Sequence, residues 1–288
     1  MKHAYLIIAH NNVNILNILL HLLDDERNDI YLHIDKKSYI NIDDIYRPVH
    51  SKFYLLSHRI NVKWGDFSQI RVELLLLKEA ISNFHYSYYH LLSGVDLPIK
   101  TQDYIHNFFE ERQGLEFIDF SQEPPENYIK RVSKYWFFTS WWKSKNPIIF
   151  LLKCLIQPIA MLINRKLEVE FKKGANWFSI TDKCARYIVE NEKFINKRFK
   201  NTMCCDEIFL QTIVWNNQEL RKKIYNSQNE LVGCMREIDW TRGTPYIWRD
   251  EDFDDLMNAK GLYARKFSPE YMGIISKIEK VISKQKSK

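Results

Sequence analysis

The chain has 288 residues, of which 45% are hydrophobic, 27% charged and 14% aromatic. That is enough apolar matter for a full core, and eight Gly and eight Pro exclude a collagen-like or low-complexity class. The 42 basic and 36 acidic residues leave a net charge of +6, too little for a dedicated nucleic-acid binder.

The first third alternates short apolar runs with helical patterns, as a parallel sheet requires. Strand Ala4–His10 is followed by helix Val13–Leu23, strand Asp29–Ile34, strand Lys52–Leu56 and a short strand at Asn61–Trp64. Ser68 reads as the N-cap of a helix to about Asn83, then strand Ser87–Leu92, helix Thr101–Glu110 and strand Leu115–Phe120. Beyond residue 172, a turn feeds a strand ending at Ile180, Thr181 or Asp182 caps a helix to Glu190, and Asp206-Glu207 opens a helix at Ile208–Trp215. A short strand, a helix at Asp252–Met257 and the run Leu262–Phe267 complete the body. The fold class this predicts is α/β, a doubly wound, mostly parallel sheet with helices on both faces and a ligand at the carboxyl ends of the strands.

Two segments stand apart. Pro147–Ile163 is nearly all apolar but short for a bilayer span and carries Lys153, Gln157 and Pro158. Trp141, Trp142, Lys143 and Lys145 precede it and Arg165 and Lys166 follow, so two readings are open: monotopic contact with a lipid surface, or a core helix pair. The tail from Tyr271 to Lys288 holds five Lys and one Glu, with Ile274, Ile275, Ile278, Val281 and Ile282 at helical spacing. It reads as a basic amphipathic tail, on anionic lipid or packed on the body. The domain organisation expected is one domain over 1–270, with 143–172 a membrane-proximal or variable insertion, and a C-terminal extension, the basic amphipathic tail 271–288.

No G-x-G-x-x-G or Walker loop follows any strand, which argues against an ordinary dinucleotide or P-loop site. Five cysteines in an odd set without C-x-x-C spacing read as reduced thiols, not a zinc site. Asp250-Glu251-Asp252 reads as a helix start, not a metal site. Glu207 beside Asp206 is either a tuned base or an acid offsetting the helix dipole. Arg236, Arg242, Arg265 and Lys266 either converge on a diphosphate or form a solvated face. Asp35, at a strand end, either accepts a hydrogen bond from a base or ribose or forms a turn.

The series HAYLIIAHNN, DIYLHIDKKS, VKWGDFSQIRVELLLLKEAI, YYHLLSGVDLPIKT, KGANWFSIT, CCDEIFLQTIV and LYARKF resembles, in that order, the core-2/I-branching glycosyltransferases. This is glycosyltransferase family 14, which also holds peptide O-xylosyltransferases. The resemblance runs from about Lys2 to Phe267, with SGVDLPIKT and Asp206-Glu207 the most specific parts and 143–172 the least matched.

It implies a GT-A type fold and an inverting transferase that moves a sugar, N-acetylglucosamine favoured, from a UDP-sugar to a hydroxyl of a glycan acceptor, with no metal and no other cofactor. By resemblance Glu207 is the general base and Lys266 binds the diphosphate in place of a metal. Arg242 shares that task, with Arg236 as the alternative; Asp35 contacts uridine; and Trp64, Asp96 and His10 lie on the donor side. Glu116, Arg131 and Trp240 fall near acceptor-side positions. The absence of an anchor before the first strand, and of a disulfide set, implies a bacterial cytoplasmic member, peripheral on the inner membrane face, acting on a lipid-linked oligosaccharide in surface polysaccharide synthesis. UDP-xylose, UDP-glucose or UDP-galactose are the alternative donors. Three other readings are weaker: a nucleotide-sugar-binding module without turnover, a glycoside hydrolase, for which the neighbours Asp206 and Glu207 point apart, and an RNA or DNA binder.

Overall fold

Every side chain of the first apolar run is buried, as a strand covered on both faces requires. The structure, a computed structural model, describes residues 1–225 and 233–284. Its first part runs β1 (His3–Ala9), α1 (Val13–Leu23), β2 (Asn28–Ile34), β3 (Lys52–Leu55), α2 (Ser68–Asn83), β4 (Tyr88–Ser93), β5 (Leu97–Pro98), α3 (Gln102–Glu111) and β6 (Phe117–Ile118). Helices α4 (Pro125–Ser133) and α5 (Pro147–Leu162) lead to β7 (Phe178–Thr181), α6 (Asp182–Glu190), α7 (Glu192–Phe199), α8 (Phe209–Trp215) and α9 (Gln218–Arg221). The last part is β8 (Arg236–Ile238), α10 (Phe253–Asn258), β9 (Tyr263–Arg265) and α11 (Met272–Lys284).

The main sheet has the order β3-β2-β1-β4-β7-β6. Its pairs are parallel except those that β7 makes with β4 and β6, so β7 alone runs the other way. A smaller sheet, β5-β9-β8, flanks it. Alternate side chains of β1 feed different cores: Leu6 packs with α2 residues such as Ile70 and Leu74, whereas Tyr5 and Ile7 pack with α1 residues such as Leu16 and Leu19. Helices thus cover both faces, and the α/β, mostly parallel architecture is the one expected. Thr101 and Thr181 cap α3 and α6 through their hydroxyls.

Three expectations need correction. Residues 61–64 form no strand, because side chains satisfy their backbone: Val62 N–H donates to Asp35 Oδ2 at 3.2 Å and Lys63 N–H to Ser68 Oγ at 2.9 Å. Ser68 is already inside α2, and Asp66 Oδ1 accepts its N–H at 2.9 Å. The strand expected over Leu115–Phe120 shrinks to β6, with Glu116 making only an isolated bridge to Ile224. Of the two readings of the tail, packing on the body is the one observed: Ile274, Ile275, Ile278 and Ile282 of α11 are buried in the same core as α1. Positions 285–288 lie outside the described residues. No helix among the described residues is long and apolar enough to cross a membrane.

Candidate active site

The carboxyl ends of the parallel strands open into a cleft of about 710 Å³. His10 follows β1, Asp35 follows β2, Ser93 ends β4 and Arg265 ends β9, so topology alone brings these four to one wall. Glu207, Trp64, Trp240 and Arg236 complete the walls that the sequence reading anticipated.

Glu207 closes a single 3₁₀ turn, Cys205–Glu207, entered through Cys204 in the left-handed region at φ 47°. Two contacts fix that turn. Cys204 N–H donates to Gly65 O at 2.9 Å, and Gly174 N–H donates to Glu207 O at 2.9 Å. The second needs glycine, since a Cβ at position 174 would stand 1.9 Å from Asp119 O. The carboxylate faces the cleft and accepts a hydrogen bond from Arg131 Nη1 at 2.6 Å. Asp206 also lines the cleft, but its Oδ1 is shielded and accepts no hydrogen bond. Burial, with the Glu207 charge adding to it, pushes the Asp206 carboxyl up to about 7.

The lining of the cleft also carries cations. Arg236 is buried, and its guanidinium donates to the carbonyls of Cys234, Leu91 and Phe178 and to Ser179 Oγ, all neutral partners, while Nε has none. Arg265 donates to Asp96 Oδ1 at 2.7 Å and stacks on Trp177, 4.3 Å from the ring centre. Around His10, burial lowers the imidazole pKa; Asp35 opposes the shift, and the charges of Arg265, Lys37 and Lys266 reinforce it. Three cations therefore surround the end of β1. Asp35 is held by its own surroundings, Oδ1 accepting from Lys37 N–H at 2.8 Å and Oδ2 from Val62 N–H. Trp64 and Trp240, each 56% exposed, stand at the rim.

Several expected residues sit elsewhere. Arg242 is committed to Asp239 and, at 2.6 Å, to Asp252, outside the cleft lining, so of the two alternatives Arg236 is the one that lines the cleft, beside Arg265. Lys266 contributes charge near His10 but does not line the wall. Asp96 lies behind Arg265, bonded to Ser93 and Arg265. Arg131 reaches the site only through Glu207. Glu116 is buried away from the cleft and accepts from Thr181 N–H at 2.9 Å and Thr181 Oγ1 at 2.6 Å; an acceptor cannot reach it. Lys37, Lys173 and Trp177 line the cleft and were not singled out. Their signals were in the sequence, since Lys37 follows Asp35 at a strand end and the other two flank the glycine of KGANW. Among the described residues no group of three or more His, Cys, Asp or Glu side chains is placed to hold a metal ion.

The model of the Core-2/I-Branching enzyme family matches residues 3–261. The chain belongs to that family. It is similar to the xylosyltransferase oxt of Drosophila melanogaster, 23% identical over 83% of this chain and 28% of that protein. It is also similar to xylosyltransferase 2 of Rattus norvegicus, 22% identical over 93% of this chain and 32% of that protein. The chain thus spans about a third of the length of the curated relatives it matches. Among solved structures, mouse xyloside xylosyltransferase 1 in its apo form aligns over 91% of this chain and 96% of that one at 10% identity. The TM-score is 0.40, too low for the site to be argued from it.

Proposed function

We propose that this family member is an inverting glycosyltransferase that moves a sugar from a UDP-sugar to a glycan hydroxyl, the acceptor being lipid-linked. The observation that carries this reading is one cleft whose lining holds both a carboxylate, Glu207, and the cations Arg236, Arg265 and Lys37. In the proposed step the acceptor oxygen attacks the anomeric carbon, its proton passes to Glu207 and the bond to the UDP oxygen breaks, inverting the centre. The negative charge left on the diphosphate meets Arg236 and Arg265, with Lys37 and Lys266 nearby, so that fixed cations do the work a metal does in other enzymes. Asp35 accepts a hydrogen bond from uracil or ribose, and Trp64 and Trp240 pack on the sugars.

N-acetylglucosamine is the donor sugar this reading favours. Xylose is the second candidate, because the relatives are named xylosyltransferases. Calorimetry with UDP, UDP-N-acetylglucosamine and UDP-xylose in the presence of EDTA tests both. Binding of one UDP-sugar under chelation supports the reading and names the donor. Failure of every uridine nucleotide to bind, with or without manganese, overturns it. Turnover abolished by EDTA and restored by manganese overturns the metal-independent step.

A further inference from the structure

Helix α5 is built inside out. Its polar side chains turn toward the protein: Lys153 Nζ donates to Trp142 O at 3.0 Å and Gln157 Nε2 donates to Tyr135 O at 2.9 Å. Its apolar ones turn to the outside, with Ile148 at 68%, Leu155 at 59%, Ile159 at 63% and Leu162 at 79% exposure, while Ala160 alone is buried. At 3.6 residues per turn, the outward positions cover roughly half of the circumference, with no charged side chain among them. A surface helix normally carries the opposite arrangement, and a contiguous apolar face of this size marks an interaction site.

The surrounding charge says what covers it. Residues 127–167 contain no Asp or Glu, and of their Lys and Arg side chains Lys130, Lys143, Lys145 and Lys166 are exposed, whereas Arg165 is buried and Arg131 is held by Glu207. A second copy of the chain, docked through the same face, would set these cations against themselves. An anionic bilayer offers the complement, acyl chains for Ile and Leu and headgroups for Lys, with Trp141 and Trp142 exposed at the boundary. Sixteen residues make a helix of about 24 Å, short of the roughly 30 Å hydrocarbon layer, so it lies in the interface plane.

We infer that α5 is a monotopic anchor that seats this protein on an anionic lipid surface. The segment that leads into the anchor meets the cleft rim: Lys143 Nζ lies 4.1 Å from the ring centre of Trp64, a cleft-lining residue, and Lys63 lies 5.4 Å from that of Trp141. Seating α5 in lipid therefore brings the mouth of the cleft to the headgroup layer. The inference stands on this surface and not on the transferase reading, since vesicle binding needs no turnover.

The test is flotation of the full chain with phosphatidylcholine vesicles containing about 30% phosphatidylglycerol and with phosphatidylcholine alone, a range in which each nearby basic residue adds measurable affinity. The chain is expected to float with the anionic vesicles. Leu155→Glu/Ile159→Glu should weaken binding at least tenfold with the thermal midpoint unchanged. Lys145→Ser/Lys166→Ser, which leaves the helix intact, should remove the preference for anionic lipid. Cys154 is exposed and the other four cysteines are buried, so an environment-sensitive dye on Cys154 should shift to the blue when anionic vesicles are added. Absence of flotation with either vesicle, or a concentration-dependent dimer that Leu155→Glu/Ile159→Glu dissolves in a chain that binds no vesicle, overturns the inference.

Discussion

Arg131 holds Oε2 of Glu207 at 2.6 Å, a charge-assisted bond from helix α4 to the turn before α8. It fixes the carboxylate that the proposed step uses as its base. Glu207→Gln keeps shape and hydrogen bonding but cannot take a proton. Its transfer rate is expected to fall about 10²- to 10⁴-fold, with UDP affinity within about twofold of the parent. Turnover near the parent level would remove Glu207 from the role of base. Arg131→Met should lower kcat and leave the Kd for UDP unchanged.

The diphosphate was expected to fall to Lys266 and Arg242, with Arg236 as the alternative. Arg265 lines the cleft, whereas Arg242 spends its guanidinium on Asp239 and Asp252. Arg265→Met is expected to weaken UDP binding about tenfold or more, the scale of one lost charged hydrogen bond. Arg242→Ala should leave it within about twofold. Calorimetric titration of both variants decides, and the reverse ranking would restore Arg242 as the phosphate ligand.

Glu116 supplies a pH test with a defined sign. Burial pushes its carboxyl up to about 7, against two hydrogen bonds from Thr181. An acid whose folded pKa is raised favours the native state most below its ordinary value of 4.5, and that contribution is lost as pH rises toward 7. Glu116→Gln removes this dependence. Its stability relative to the parent should climb between pH 4.5 and 7, by at most about 1.4 kcal/mol per unit, and then level off. Urea melts across that range measure it. The KM for the acceptor should not change, because Glu116 lies outside the cleft.

Gly174 tests how the base is held. A methyl group there would strike Asp119 O, and the same residue donates to Glu207 O. Gly174→Ala is expected to cost about 1–3 kcal/mol in stability by overpacking. It should also lower kcat, because the turn carrying Glu207 must move. Unchanged stability and rate would show that the contact with Asp119 relaxes freely.

Much of this arrangement was legible in the residues. The apolar runs of β1, β2 and β4 are continuous because helices cover both faces, and α1 lies where its periodicity placed it. The strand-end residues His10 and Asp35 followed from topology, and Glu207 from its motif. What failed involved contacts between distant parts. Residues 61–64 look like a strand until Asp35 and Ser68 claim their backbone. Arg242 and Arg236 are alike in sequence, and only the partners Asp239 and Asp252 separate them. Glu116 looks like any polar residue beside a strand, and its hydrogen-bond partner, Thr181, lies 65 positions away. For α5, composition suggested either a core helix or a lipid contact. The choice needed the direction in which Lys153 and Gln157 point.

The pairing of the chain's beginning with its end sets a schedule for synthesis. Tyr5 Oη and Tyr263 Oη lie 2.9 Å apart across 258 positions, and α11 covers α1. On a ribosome adding about 5–20 residues per second, the α1 face of the nascent sheet waits roughly 13 to 50 s for its cover. During that interval the apolar residues of β1 and α1 are exposed to solvent and to other chains. Deletion of α11 would make that exposure permanent, so such a truncation should yield aggregate on expression.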